Sequence, residues 1–219
     1  MDHYFESYGG LGLQRYMVSD KPRTDSFAAA IKEVVQEGDE VIDVGTGTGL
    51  LAILAAKAGA KKVYGLDDSD IAEVAKTLVE RNGLTDVVDI VRCNASNFDL
   101  GNTTDVIVSE WLGLLAFAEA MLDDLIVARD ANLKPGGTMI PSEVDVLLAP
   151  VSCPDLYNRE GPGFWRETIH GIDYAILEEL EQNQALSLQI RVPAESMLAK
   201  GQPMVSLNLA TASSEDPWE

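Results

Sequence analysis

The stretch Val41-Ile42-Asp43-Val44-Gly45-Thr46-Gly47-Thr48-Gly49-Leu50-Leu51 decides the fold. Val41, Ile42 and Val44 are β-branched and apolar, as a central strand requires, and residues 50–58 have the apolar density of a helix packed on a sheet. Gly45, Gly47 and Gly49 alternate through the turn between them. Glycine admits φ > 0 and lets a ligand approach closer than a Cβ allows, and the N–H groups that open the helix point toward it. One such glycine has a structural explanation; three make the turn a candidate ligand site.

Working outward, strands and helices alternate. Residues 62–66, 87–92, 106–109 and 137–140 read as strands, and 71–81 and 116–129 as helices, with a stop and turn at Leu133-Lys134-Pro135-Gly136-Gly137. That order predicts an α/β fold, a doubly wound, mainly parallel sheet with helices on both faces. Residues 1–36 read as helical in pieces: an aromatic segment, Tyr4-Phe5-Glu6-Ser7-Tyr8, a break at Gly9-Gly10, and two amphipathic runs. Thr24 or Asp25 is the expected cap of the second run, 26–36. Residues 37–142 hold the ligand-binding sheet. Residues 143–219 read as a β-rich extension with strands at 144–151, 186–191 and 205–210, a loop at 154–163 and a helical piece at 172–182. These last strands either extend the main sheet or open a β domain of their own.

Composition narrows the classes. The 219 residues suffice for one full domain with a sizeable core. No run of about 18 apolar residues exists and the N-terminus is acidic and aromatic, so a soluble, cytoplasmic protein without a membrane span is expected. Cys93 and Cys153 are the only two cysteines, too few for a disulfide framework. A net charge of −20 argues against duplex nucleic acid, whose phosphates need clustered Lys and Arg, and favours basic partners. Solubility, or a salty cytoplasm, accounts for the same charge.

Two cofactor classes use a strand, glycine turn and helix. Gly47-Thr48-Gly49-Leu50-Leu51-Ala52 satisfies the weaker dinucleotide pattern. Asp43 followed by Gly45, Gly47 and Gly49 resembles motif I of class I S-adenosylmethionine-dependent methyltransferases, which implies a Rossmann-like fold and S-adenosyl-L-methionine against Asp43, Gly45, Thr46, Gly47, Gly49, Leu50 and Leu51. Asp67, about 20 residues beyond the turn, stands where α/β cofactor folds bond two ribose hydroxyls, with Asp68 beside it. Alternatively Asp67, Asp68 or Ser69 caps the next helix. Asn94-Ala95-Ser96 ends the third strand where adenine is expected, through the Asn94 side chain and the Ala95 or Ser96 N–H; the same residues also make an ordinary turn.

Glu110 follows the fourth strand, at the ligand-binding edge of such a sheet, and Glu119 lies among Phe117, Ala118, Ala120, Met121 and Leu122. A carboxylate in that setting needs a partner, and two converging on one pocket need a cation between them. A pair of helix caps or tyrosine contacts is the plainer alternative. Ser109-Glu110-Trp111-Leu112-Gly113 and Glu119-Ala120-Met121-Leu122 resemble the two-glutamate hairpin of the protein arginine methyltransferases. Tyr4-Phe5-Glu6-Ser7-Tyr8, Met17, Arg23-Thr24 and Ile140-Pro141 match further motifs of that family. The resemblance implies Phe5, Met17, Arg23, Glu110 and Met121 against the cofactor, Arg23 on its carboxylate, and Tyr8, Glu110, Trp111 and Glu119 against the acceptor. It implies Glu110 and Glu119 as catalytic residues that hold a guanidinium in line with the S–CH₃ bond.

The chain also departs from the family. Its T-H-W loop has no counterpart, its C-terminal β-barrel reads as absent or truncated, and Gln14 and Ser96 replace a frequent histidine and glutamate. Three functions therefore compete: an arginine N-methyltransferase acting on a basic protein or peptide, a methyltransferase of the same ancestry acting on a small molecule or another nitrogen, and a noncatalytic cofactor-binding scaffold. No motif fixes the oligomeric state.

Overall fold

The computed structural model describes residues 10–101, 103–113, 121–185 and 190–213. The expectations placed on Phe5, Tyr8, Glu119 and the 4–8 helix lie outside these residues, as does most of the strand expected at 186–191. The fold is the α/β fold read from the sequence. Five strands, β1 (Glu40–Val44), β2 (Lys62–Asp67), β3 (Val88–Arg92), β4 (Thr104–Ser109) and β5 (Leu133–Ile140), lie in the order β3-β2-β1-β4-β5. All four pairings are parallel. The order reverses between β1 and β4, so the carboxyl ends of these two strands open the crevice where ligands bind in such sheets.

Helices α1 (Leu11–Ser19), α2 (Lys21–Val34), α3 (Leu50–Ala58), α4 (Ile71–Arg81) and α5 (Met121–Asn132) cover the sheet. On one face Val41, Val63, Val106 and Val108 pack against Ala52, Ala55, Ala72, Ala75 and Val79, with Ile31 and Val35 at the margin. Alanine at these helix positions lets the backbones come close to a valine-rich strand surface. The alternate strand residues Ile42, Val44 and Ile107 are as deeply buried on the other side, where α5 meets β4 and β5.

Two local expectations are corrected here. Helix α2 begins at Lys21, not at 26, and its cap is Asp20, whose Oδ1 accepts from the Arg23 N–H at 3.3 Å. Pro22 sits in the first turn, where a missing N–H leaves no bond unmade, so it starts the helix instead of delaying it. The expected turn at residues 133–137 lies inside β5: Thr104 pairs with Leu133 and Val106 with Thr138, so the intervening residues bulge from the ladder.

One compact unit runs to Val144 and resumes at Ser206; Asp145–Val205 forms a second. In the first unit the returning chain is tied down by Arg129, whose Nη1 donates to the Leu209 and Ala212 carbonyls at 2.8 Å each. Strands β6 (Glu143–Leu148) and β7 (Gln202–Asn208) pair in a two-stranded sheet and do not join the main one. Among the described residues they are the only strands after 142. The loop expected at 154–163 is helix α6 (Pro154–Glu160) followed by a 3₁₀ turn, Pro162–Arg166. Pro154 and Asp155 suit a first helical turn. Within this second unit Tyr157 and Arg166 both bond Glu178 of helix α7 (Ile176–Gln182), which holds the three short pieces together.

Candidate functional site

The glycine turn is held from below and from both sides. The Gly45 and Thr46 N–H groups both donate to the Leu66 carbonyl at 2.9 Å, which fastens the turn to the end of β2. Asp43 Oδ2 accepts from Thr46 Oγ1 at 2.6 Å and from the Ala52 N–H at 2.9 Å. Asp43 has no exposed surface, and burial pushes its carboxyl up to about 7, against the two hydrogen bonds and with the help of the Asp67 charge. Asp43 and Thr46 therefore shape the turn from beneath; any effect of the Asp43 side chain on a ligand is indirect.

Gly45, Gly47 and Gly49 have φ of 72°, 55° and 81°. A Cβ at Gly45 would stand 2.8 Å from Met121 Cε, and one at Gly47 would stand 3.1 Å from Gln14 Oε1. Met121 and the buried Gln14 thus border the turn, while Leu50 and Leu51 open α3 half-buried. Gly65 on β2 is a further requirement: a Cβ there would meet Thr46 Oγ1 at 2.8 Å and Ile90 Cδ1 at 2.7 Å.

Asp67 ends β2. Its Oδ2 accepts from the Gly47 N–H at 2.9 Å, and its Oδ1 from the Ser69 N–H at 2.9 Å and the Ser69 hydroxyl at 2.6 Å. Ser69 engages both lone pairs of Oδ1, and Oδ2 keeps one for an outside hydroxyl. Asp68 is exposed beside it. At the end of β3, Asn94 caps the 3₁₀ turn Ala95–Asn97: its Oδ1 accepts from the Ser96 N–H at 2.8 Å and from the Ser96 hydroxyl. Its Nδ2 donates to Asp124 Oδ2 at 2.8 Å. The carbonyl expected to take an adenine amine is already engaged by Ser96. The plainer reading of Asn94-Ala95-Ser96 as a turn describes this geometry.

Arg23, expected against the cofactor, and Glu110, expected against both cofactor and acceptor, meet. Arg23 Nη1 donates to Glu110 Oε2 and Nη2 to the Met17 carbonyl at 3.0 Å, while the Leu112 N–H donates to Glu110 Oε1 at 3.2 Å. Trp111, expected to face the acceptor, is only 3% exposed; Leu112 is the exposed neighbour. Ser109 Oγ donates to the Val44 carbonyl at 2.8 Å and ties the ends of β4 and β1 together beside Glu110. Ser69 and Asp124 were missed as partners of Asp67 and Asn94. Their signals were faint: a serine two residues after an aspartate, and an acidic first turn in α5. A groove at the outer edge of β3, lined by Lys76, Val79, Thr85 and Asp89, contains none of the site residues.

Comparisons with known proteins bear on this geometry. The family model described as ribosomal protein L11 methyltransferase (PrmA) matches residues 20–144. A probable protein arginine N-methyltransferase 6 of Arabidopsis thaliana is 42% identical over 184 residues, 83% of this chain and 42% of the relative. A crystal structure of PRMT6 superposes with a TM-score of 0.74 at 31% identity, covering 96% of this chain and 68% of that one. The chain belongs to the protein arginine methyltransferase family. The PrmA match covers the sheet domain, whereas the arginine methyltransferase relatives extend across the second unit as well. The Trypanosoma brucei PRMT1 enzyme-prozyme complex with AdoHcy gives a TM-score of 0.85 at 31% identity, over 96% of this chain and 66% of that one. This chain spans about half the length of the curated arginine methyltransferases it matches.

Proposed function

We propose that the chain carries the site of an S-adenosyl-L-methionine-dependent N-methyltransferase whose acceptor is a guanidinium nitrogen of arginine in a basic protein or peptide. The observation that carries this reading is the Arg23 to Glu110 contact: a carboxylate at the end of β4, beside the switch point of the sheet, already holds a guanidinium. The cofactor fits the residues around the turn. Three glycines at positive φ shape the turn beside Met121 and Gln14, and Asp67 Oδ2 lies at the expected spacing. Bound there, it supplies an electrophilic methyl on a sulfonium sulfur.

The chain's own residues do the rest. Gly47 brings backbone close to the ligand, Asp67 takes a ribose hydroxyl through Oδ2, and the Ala95 N–H is the donor for the adenine. Arg23 keeps three N–H donors beyond the two in use, enough for a carboxylate. Glu110 and Glu119 grip the acceptor guanidinium so that one terminal nitrogen lies in line with the methyl, and positioning supplies much of the rate. Their charges draw the cationic character to the other nitrogens and leave the attacking one its lone pair. Methyl transfer to that nitrogen would release a proton, and Glu119 would be its acceptor. The acidic surface, −20 overall, steers basic partners in a cytoplasmic setting.

Incubation with methyl-labelled cofactor and extracts separated into protein, RNA and small metabolites tests the reading. Label is expected in the protein fraction and, after hydrolysis, in methylarginine. Label confined to RNA or metabolites would overturn the acceptor class.

A further inference from the structure

We infer that Asp124, in the first turn of α5, is the acceptor that reads the 6-amino group of the ligand's adenine. The inference rests on the cofactor reading above and deepens it: the purine is recognised by a helix outside the turn that borders it.

The turn at the end of β3 spends its side chains on itself. Asn94 Oδ1 takes both the Ser96 N–H and the Ser96 hydroxyl, and what remains at the turn, the Ala95 N–H, is a donor. Adenine presents an amine that donates beside ring nitrogens that accept, so a donor alone reads half of that edge. The Ser96 hydroxyl has given its proton to Asn94 and offers only a neutral oxygen. Serine here closes the turn where relatives often carry a glutamate, and the carboxylate has to come from elsewhere.

Asp124 supplies it. Its Oδ2 accepts from Asn94 Nδ2 at 2.8 Å, which holds the carboxyl against the turn, and its Oδ1 has no hydrogen-bond partner among the described residues. The residue is half-buried, and a carboxylate so placed bonds an N–H more strongly than a neutral oxygen does. Helix α5 packs on the Ala95–Asn97 turn. Met121, three residues earlier and on the same side of the helix, stands against Gly45. One helical turn therefore serves both ends of the binding edge, the glycine turn through Met121 and the end of β3 through Asp124. Asp123, between them, is exposed.

Calorimetric titration with S-adenosylhomocysteine, and with its analogue bearing hydrogen in place of the 6-amino group, tests this. The wild type is expected to bind the amine-bearing ligand at least about tenfold more tightly, and equal affinities overturn the inference. Asp124→Ala should weaken S-adenosylhomocysteine about tenfold and the analogue less than about twofold. Equal losses for both ligands would mean that Asp124 only supports the turn through Asn94, and the inference fails. Asp123→Ala removes the same charge from the exposed neighbour and should leave both affinities within about twofold. A loss there as large as at Asp124 would assign the effect to overall charge and overturn the inference. Binding of neither ligand removes it together with the cofactor reading. A labelled-methyl assay with an arginine peptide separates the two claims. Discrimination for the amine without methyl transfer would remove the methyl-transfer reading and leave Asp124 in its role; transfer without discrimination would do the reverse.

Discussion

The Gly47 N–H donates to Asp67 Oδ2 at 2.9 Å, so the middle glycine of the turn is held by a carboxylate 20 residues further along the chain. The same side chain takes two bonds from Ser69, and the contact sets the turn before any ligand arrives. Replacing Asp67 by alanine removes an anchor and a ribose partner together. Affinity for S-adenosylhomocysteine should fall at least about tenfold, roughly 1.4 kcal/mol. Titration calorimetry that finds the affinity unchanged would separate Asp67 from the ligand.

Gly45 is under two constraints at once, a φ of 72° and a Met121 methyl 2.8 Å from where a Cβ would lie. Gly45→Ala should destabilise the protein by about 1–3 kcal/mol in denaturant unfolding. Adding Met121→Ala relieves the contact but not the dihedral, so only part of the loss returns. Full stability in the single variant would mean that the turn has another conformation.

Asp43 sets a pH dependence. Its carboxyl rises from 3.8 to about 7 on burial, so between these values the folded state holds a proton that the unfolded state has lost. The sign is that of a raised acid: the penalty is absent below about pH 4, grows as pH rises, and levels off above about pH 7, reaching on the order of 4 kcal/mol. Asp43→Asn lacks this penalty. Unfolding measured from pH 4 to pH 8 should show the variant gaining on the wild type by several kcal/mol, and a constant difference would contradict the assignment.

Arg129 is 7% exposed and bonds the Leu209 and Ala212 carbonyls. Arg129→Met keeps much of the apolar stem but strands those two acceptors. A loss of about 2–4 kcal/mol is expected, with faster proteolytic cleavage near residues 206–213. Unchanged cleavage there would show that the returning segment is held by other contacts.

Local signals were legible and tertiary ones were not. Val41 to Leu51 could be read because strand, turn and helix are contiguous, and the place of Asp67 beside the turn because the fold fixes its spacing. Thr24 or Asp25 reads as the cap, whereas Pro22, which suits a first helical turn, goes with a cap at Asp20. Asn94-Ala95-Ser96 encodes its own turn so well that the turn consumes the acceptor assigned to a ligand. The pairing of Arg23 with Glu110 depends on how α2 lies against the end of β4, which no local pattern states. Leu133-Lys134-Pro135-Gly136-Gly137 has the composition of a turn, and the sheet absorbs it as a bulge.

The central claim is that Glu110 grips the acceptor guanidinium. The direct measurement is single-turnover methyl transfer to an arginine peptide by the wild type and by Glu110→Gln, each saturated with methyl-labelled cofactor. A loss of at least about a hundredfold in the variant, with cofactor still bound, is the expected result. Transfer at the wild-type rate would contradict it.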